Sequence, residues 1–553
     1  MVSGVRNLAR VSLAAVACAS GLAGGAERAG GERTLYPLAP PPIERAAPTA
    51  PEPLRGAIGL GEAVRRALQR NAGIQIQAHQ VRIGEGGVLQ ARGAYDAELV
   101  GRGERSGSRR PLAANETADL AASGISAREE HGYTSGYRAG IERTLESGMR
   151  AEMGFSVNST QTNNNLARGI QQQTTGSLRF ALRVPLQRNL GGVQQSAALS
   201  SSEYEREASV EDLLQTSAGV VLATAQAYWE LASRLRRLEI LRASEKRATE
   251  LVAELSKLIA ADQIPAAELH LATASEAEKR AARSAEEQQA QQVWNTLGRL
   301  LNADAADVFA SGAATDPLPE LSDEGLRSAA AAVAQLAGAQ QRRADLRSAR
   351  LRERAAYALL LAAQNNLKPQ LDLIFGASTA GLAEGASSLA LASALNDRRS
   401  DPALSLALEL RWPWSNDAAR GQLLSRAAGH DQATLRVREL ERSIGPALVN
   451  AAFALRRTAD RYRETQAAAE RYAISVQNER TKRRLGLSTL IDIINVQDRL
   501  DGAQLSILQL RQEYASLIAQ LLFESGALVL RSGEGYEVDL GSLSGAPPAE
   551  KNR

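Results

Sequence analysis

One pattern occurs twice along the chain and limits what it can fold into. An alternating segment ends in proline, and a very long helical stretch, a sharp turn and a returning helix follow. The first copy reads Leu178-Arg-Phe-Ala-Leu-Arg-Val-Pro185 and the second Leu404-Ser-Leu-Ala-Leu-Glu-Leu-Arg-Trp-Pro413. Every second side chain is apolar and those between are small or charged, the period-two signature of a sheet with one apolar and one wet face. Roughly 70 residues later each copy reaches a turn, at Gln263-Ile264-Pro265 and at Leu485-Gly486-Leu487-Ser488; as α-helix, that length is a rod of about 100 Å.

Composition removes several function classes. Lys plus Arg (65) nearly balances Asp plus Glu (62), without the basic excess of a nucleic-acid binder. No run of 18 or more apolar residues follows the N-terminus, so a helical membrane span is not expected. The four histidines (His79, His131, His270, His430) are scattered and there is one cysteine, leaving neither a zinc site nor a disulfide framework within one chain. No cofactor is expected. No nucleophile, base and orienting group cluster in a motif, so an enzyme is not expected either.

Residues 1–26 have the form of an export signal: Arg6 and Arg10 precede an apolar stretch at 11–17 and then small residues. Ala15-Val16-Ala17-Cys18 resembles a lipobox in which Cys18 carries the lipid, although Ala15 stands where leucine is usual. Ordinary cleavage after Ala17 or Ala26 is the alternative. Seven of the eighteen prolines fall in 37–53, which makes 27–56 an extended linker.

Residues 57–316 and 317–527 then carry the two copies of the pattern. A helix opens the first at Leu60, Val64 and Leu68. Strands are expected at 95–105, 133–145, 149–160 and 177–184, with a short turn at Glu146-Ser147-Gly148 and loops at 106–130 and 161–175. In the third strand Ala151, Met153, Phe155 and Val157 share one face, opposite Arg150, Glu152, Ser156 and Asn158. Long helices are expected at 193–261 and 417–485, the second interrupted at Gly445-Pro446. The second copy has a helix at 323–366 and strands at 369–375 and from Leu404. Its returning helix repeats Ile493, Val496, Leu500, Ala503, Ile507, Leu510, Tyr514, Leu517 and Leu521 at alternating threes and fours, a coiled-coil seam. The first copy is longer by about the length of a hairpin at 133–160 with its loops. Adding two strands preserves parity, so both long helices leave the sheet on one side. The Gly/Ser/Pro-rich segment 528–553 reads as disordered.

Strands of about ten residues with one apolar face suit a lipid-facing β-barrel. Four to six strands cannot close a barrel wide enough for cargo, and open edges in lipid cost several kcal/mol per unpaired backbone group. The chain is therefore expected to oligomerise, each copy supplying a sector. Glu409 and Arg411 lie opposite Leu408 and Leu410, as inward residues should, and Trp412 and Trp414 suit an interfacial aromatic belt. A periplasmic coiled-coil adaptor or scaffold is the alternative, but such a protein carries one hairpin between other domains, and this chain has two hairpins.

Over about 57–527 the pattern resembles the TolC-type outer-membrane efflux proteins. Leu60-Gly-Glu-Ala-Val-Arg-Arg-Ala-Leu-Gln-Arg-Asn71 looks like that family's opening helix, and Leu367-Lys-Pro-Gln-Leu-Asp-Leu373 like its entry from helix to strand. Arg483-Arg-Leu-Gly-Leu-Ser-Thr-Leu-Ile-Asp-Ile-Ile-Asn-Val-Gln497 looks like its second tip. The resemblance implies an α+β membrane protein of two structural repeats: a homotrimer whose transmembrane β-barrel in the outer membrane continues into an α-helical coiled-coil barrel in the periplasm. It also implies a passive duct for efflux or type I secretion that docks a periplasmic adaptor (membrane fusion) protein and an inner-membrane transporter. Twelve barrel strands are usual in the family; the additional hairpin leaves twelve or eighteen open here.

Two sites carry over. In some members two acidic residues after the second tip hold the tunnel closed; Asp492 matches the first, Asn495 stands at the second, and Ser488 stands where a partner arginine is expected. Thr489-x-x-Asp492 equally resembles a capping box, with Asp492 favourable in a helix's first turn. The tip that adaptors contact matches Leu485-Gly486-Leu487, whereas the first tip has Gln263 and Ile264 without the glycine. Gly486 also suits a helix C-terminal cap.

Overall fold

Both long helices emerge from strand ends at one side of a single sheet. The computed structural model describes residues 57–170, 172–261, 267–303, 314–321, 336–385, 403–485, 487–532, 535–538 and 543. Helices α1 (Leu60–Arg70) and α2 (Ala72–Arg92) lead into β1 (Ala97–Pro111). Then come α3 (Ala114–Ala122), β2 (Glu129–Thr144), β3 (Arg150–Thr162), α4 (Asn163–Ala167) and β4 (Gln173–Pro185). The first long hairpin is α5 (Val193–Ala260) and α6 (Ala267–Leu300). The second half has α7 (Leu336–Arg342), α8 (Ala344–Asn365), β5 (Gln370–Glu384), β6 (Ala403–Arg411), α9 (Asp417–Arg484) and α10 (Leu490–Glu524), and ends in β7 (Val529–Ser532) and β8 (Gly535–Val538). The expected signal, linker and lipobox, Cys18 included, lie outside the described residues, as do Gln263, Ile264 and Gly486.

The sheet is an antiparallel meander in chain order, β1 to β6. Ala97 opposite Arg143, Pro185 opposite Asp372 and Gln370 opposite Arg411 mark one end of it. There α2 and α8 enter β1 and β5, while β4 and β6 pass into α5 and α9. These two helices have 68 residues each, about 100 Å of rod. The additional hairpin at β2 and β3 is part of the sheet, which has six strands among the described residues.

Several expectations need correction. The 106–130 segment is not a loop throughout: β1 runs on to Pro111, paired with Glu129, and α3 fills the connection. Ion pairs Arg109–Glu129 (2.5 Å) and Arg110–Glu130 (2.8 Å) hold this extension. Its Gly, Ser and Arg residues lack the apolar alternation that marks a strand. Likewise α4 interrupts 161–175, where Thr162 Oγ accepts from the backbone N–H of Asn165 at 3.1 Å and caps the helix. Pro446 does not interrupt α9. It removes one backbone hydrogen bond, while Ile444 and Leu448 on either side are buried in separate apolar clusters. The 528–553 tail is not wholly without structure: β7 and β8 pair, and Leu528, Val529 and Leu543 are buried. Gly526, at φ +69°, ends α10 in a left-handed turn in which the N–H groups of Ala527 and Leu528 both donate to Leu522, directing the chain back onto the core.

The largest core joins α1, α5, α6 and α10. Leu60, Ala63, Val64 and Ala67 form the buried stripe of α1, against Tyr228, Trp229 and Leu231 of α5, Leu297 of α6 and Ala515 and Ala519 of α10. Tyr228 and Trp229 meet edge to face at 5.2 Å between centroids. Burying each such side chain contributes about 2–3 kcal/mol. Small residues at Ala63, Ala67, Ala515 and Ala519 let the helices approach closely. In α10, Leu510, Tyr514 and Leu521 of the expected seam are buried.

Candidate functional site

Register places one residue from each strand in a single row on one face: Leu99, Ile141, Met153, Phe180, Ala377 and Leu404 are paired in succession. Rows two residues away repeat the character, with Phe155 opposite Leu178 and Leu182 opposite Phe375. Leu404, Leu406, Leu408 and Leu410 are 64–71% exposed, and Trp412 and Trp414 beyond them are exposed too. A wide apolar surface open on a single chain marks contact with lipid or with another surface, not with water.

The other face is polar. Ser156 and Ser177 share a 2.8 Å hydrogen bond, and charge gathers where the strands meet the helices. Glu142 and Glu152, directly opposite, are both bridged by Arg150, at 2.6 and 3.2 Å. Asp372 and Glu409 are also opposite, and Arg183 Nη1 donates to both, at 2.9 and 2.7 Å. Gln370 adds a 2.7 Å bond to Asp372, and Arg411 a 2.8 Å bond to Glu409. Like charges fall opposite each other in the ladder, and an arginine from the neighbouring position neutralises each pair. Glu409 and Arg411 thus stand on the expected face.

Amide side chains shape the joint below this band. Asn189 and Asn416, both at positive φ, precede α5 and α9. Asn365 accepts from the backbone N–H of Asn189 at 2.7 Å, Asn189 accepts from that of Gln194 at 2.9 Å, and Asn416 donates to the Leu367 carbonyl at 3.3 Å. Asparagine tolerates the left-handed region and bonds backbone groups that the turn leaves unpaired.

At the far end of the rods, Asp492 lies exposed in the first turn of α10. Its Oδ2 accepts from the backbone N–H (3.0 Å) and hydroxyl (2.6 Å) of Thr489, and the Thr489 hydroxyl accepts from the Asp492 N–H at 3.3 Å. This is the capping box. The bonds from Thr489 hold the Asp492 carboxyl below its usual range. Ser488 donates to Glu479 at 2.6 Å, and Lys482 pairs with the same carboxylate at 2.6 Å; Lys482 and then Ser488 lower the Glu479 pKa. Asn495 is exposed one turn further along α10, and Leu485 and Leu487 are exposed at the tip.

A second cluster, with no signal in the sequence, ties the two hairpins together. Asp501 of α10 is buried and accepts from Arg247 (2.7 and 2.8 Å), Ser244 (2.7 Å) and Gln497 (2.9 Å). Lys279 of α6 pairs with Asp498 at 2.6 Å, and Arg483 reaches Glu254 of α5 at 3.6 Å. Asp492 and Asp501 are therefore differently employed: one caps its own helix, the other joins helices from opposite halves of the chain.

Neither a comparison with family models nor one with curated protein sequences finds a match. Solved structures do match. The outer-membrane channel OprN aligns with a TM-score of 0.62 at 16% identity, covering 85% of this chain and 90% of that chain. The outer membrane protein VceC from Vibrio cholerae gives 0.60 at 17%, covering 84% and 96%. The Campylobacter jejuni CmeC outer membrane channel gives 0.61 at 14%, covering 85% of each. Identities this low establish likeness of fold, over nearly the whole length of both partners: the chain has the fold of the TolC-type outer-membrane channels.

Proposed function

We propose that this chain is the outer-membrane channel of an efflux or type I secretion system. Three copies form a passive duct, with a barrel in the outer membrane and a helical tunnel in the periplasm. The observation that carries this reading is a sheet with one open apolar face and one charged face that passes directly into two 68-residue helices. The first face suits lipid and the second a water-filled passage.

The tip is the docking end for a periplasmic adaptor and an inner-membrane transporter. Leu485, Gly486 and Leu487 of the second hairpin, and Gln263 and Ile264 of the first, are the proposed contacts; the exposure of Leu485 and Leu487 supports this. The gate lies at the start of α10. Asp492 contributes one charge per copy, while Asn495 and Ser488 are neutral and leave no acidic pair. The Arg247–Asp501 and Lys279–Asp498 contacts therefore take over, between the apolar core and the tips, the polar ties between the hairpins.

The test is fractionation and conductance. The expected result is a heat-modifiable trimer in outer-membrane fractions that forms channels in planar bilayers. A soluble monomer after signal cleavage overturns the reading.

A further inference from the structure

We infer that the two open edges of the sheet, β1 and β6, pair between copies of this chain and close an eighteen-stranded barrel, half as many strands again as the family's usual twelve. The inference rests on the trimeric duct proposed above: six strands from each of three copies.

Four observations lead to this seam. The first is that β1 is exposed along its whole length and β6 along nearly all of it, each lacking a neighbour on one side among the described residues. Unpaired edges do not persist in lipid. Second, an even number of strands in a meander makes the two edges antiparallel, with Ala97 and Arg411 both at the helix end, so closure needs no reversal. Third, the faces agree: Leu99 of β1 lies in the same apolar row as Leu404 of β6. Any register that keeps apolar side chains outward sets Leu99 against an even-numbered residue of β6. Fourth, the polar residues complement each other. Glu98 opposite Arg411 puts Leu99 opposite Leu410 and Arg102 diagonal to Glu409.

That register is self-consistent as a barrel. The row that begins at Leu99 returns at Leu404, six residues from Leu410, so each copy contributes a stagger of six. Three copies give a shear of eighteen on eighteen strands. With about 3.3 Å per residue and about 4.8 Å between strands, the tilt is about 35°, within the range of closed barrels. The backbone circumference is then about 105 Å, a diameter of about 34 Å. Four helices per copy (α2, α5, α8 and α9) join the sheet, and twelve helices at 8–10 Å spacing need about 96–120 Å. Strands and helices therefore meet at the same girth. The flanks correspond as well: α2 precedes β1 on one side and α9 follows β6 on the other, with Ile76 and Ile83 exposed on α2 and Leu424 and Leu435 exposed on α9.

The test uses the full chain carrying Glu98→Cys and Arg411→Cys together, oxidised in isolated outer membranes. The expected result is a shift on non-reducing denaturing gels from monomer to covalent trimer, absent from either single variant and reversed by reductant. Cryo-electron microscopy of the unaltered trimer, with the strands counted, is a second readout that needs no variant. A trimer with a twelve-stranded barrel, its β1–β2 hairpin outside the wall, overturns this inference and leaves the duct standing. A protein that forms no trimer overturns the duct reading, and this inference with it.

Discussion

Arg183 and Asp372 stand 189 positions apart and meet through a 2.9 Å ion pair at the edge where strands become helices. Arg183 comes from the first half of the chain and Asp372 from the second, and the same guanidinium holds Glu409 one strand further on. Asp372 is almost completely buried, whereas Arg183 is over a third exposed. Removing the arginine leaves a buried carboxylate facing a second one across the ladder.

Arg183→Met is therefore expected to destabilise the sheet by about 1–3 kcal/mol, below the about 3–5 kcal/mol of a fully buried broken pair because the arginine keeps some solvent. The thermal midpoint of the detergent-extracted protein should fall, and adding Asp372→Leu should restore part of the loss. An unchanged midpoint in the single variant would show that Gln370 and water suffice for Asp372 without Arg183.

Asp501 offers a test of the hairpin connection. Asp501→Asn keeps the shape and the possibility of a hydrogen bond from Ser244 but removes the charge that Arg247 meets. If this contact restrains the tip, single-channel conductance or open probability in planar bilayers should rise severalfold, and Lys279→Ala should add to it. Wild-type conductance in both variants would remove these pairs from the gate.

The tip should also respond to acid. Glu479 and Asp492 have carboxyl groups held below their ordinary range by Lys482 and Thr489 respectively. A depressed folded pKa stabilises the fold above the unfolded value and is lost as pH falls through the folded one. Lower amide protection factors (exchange corrected for its intrinsic pH dependence) at residues 487–495 are thus expected below about pH 4, with little change in protection between pH 5 and 8. Asp492→Ala should produce the same local effect at neutral pH, confined to the first turn of α10. Equal exchange in variant and wild type would mean that the capping box does not hold this turn.

How far these features can be read from sequence depends on the range of the interaction. The Leu404-to-Leu410 alternation marks β6 because each strand writes its two faces locally, and Thr489-x-x-Asp492 marks its cap because both partners lie in one turn. The outer part of β1 is not marked, since Arg109 and Arg110 are strand residues only through Glu129 and Glu130 on the next strand. Asp501 is the extreme case. Its partners Ser244 and Arg247 lie more than 250 positions away, and no periodicity in α10 distinguishes it from a solvated aspartate. Pro446 misleads in the opposite direction, because its local cost is legible and the burial of Ile444 and Leu448 on either side of it is not.

The two glycines before α5 allow a sharper test of how the sheet is joined to the rod. Gly191 and Gly192 both have positive φ, +76° and +68°. A Cβ on Gly191 meets nothing within 4 Å, whereas one on Gly192 would strike the carbonyl oxygen of Glu146 in the β2–β3 turn. Gly191→Ala is accordingly expected to cost about 1–2 kcal/mol, the strain of a left-handed alanine alone. Gly192→Ala adds a backbone clash and should cost more, enough to reduce the yield of assembled protein in the membrane. Thermal midpoints of the two variants separate the terms. If they fall equally, the β2–β3 turn yields freely and does not hold the start of the rod; if only Gly192→Ala is severe, that turn is a fixed part of the joint between sheet and helix.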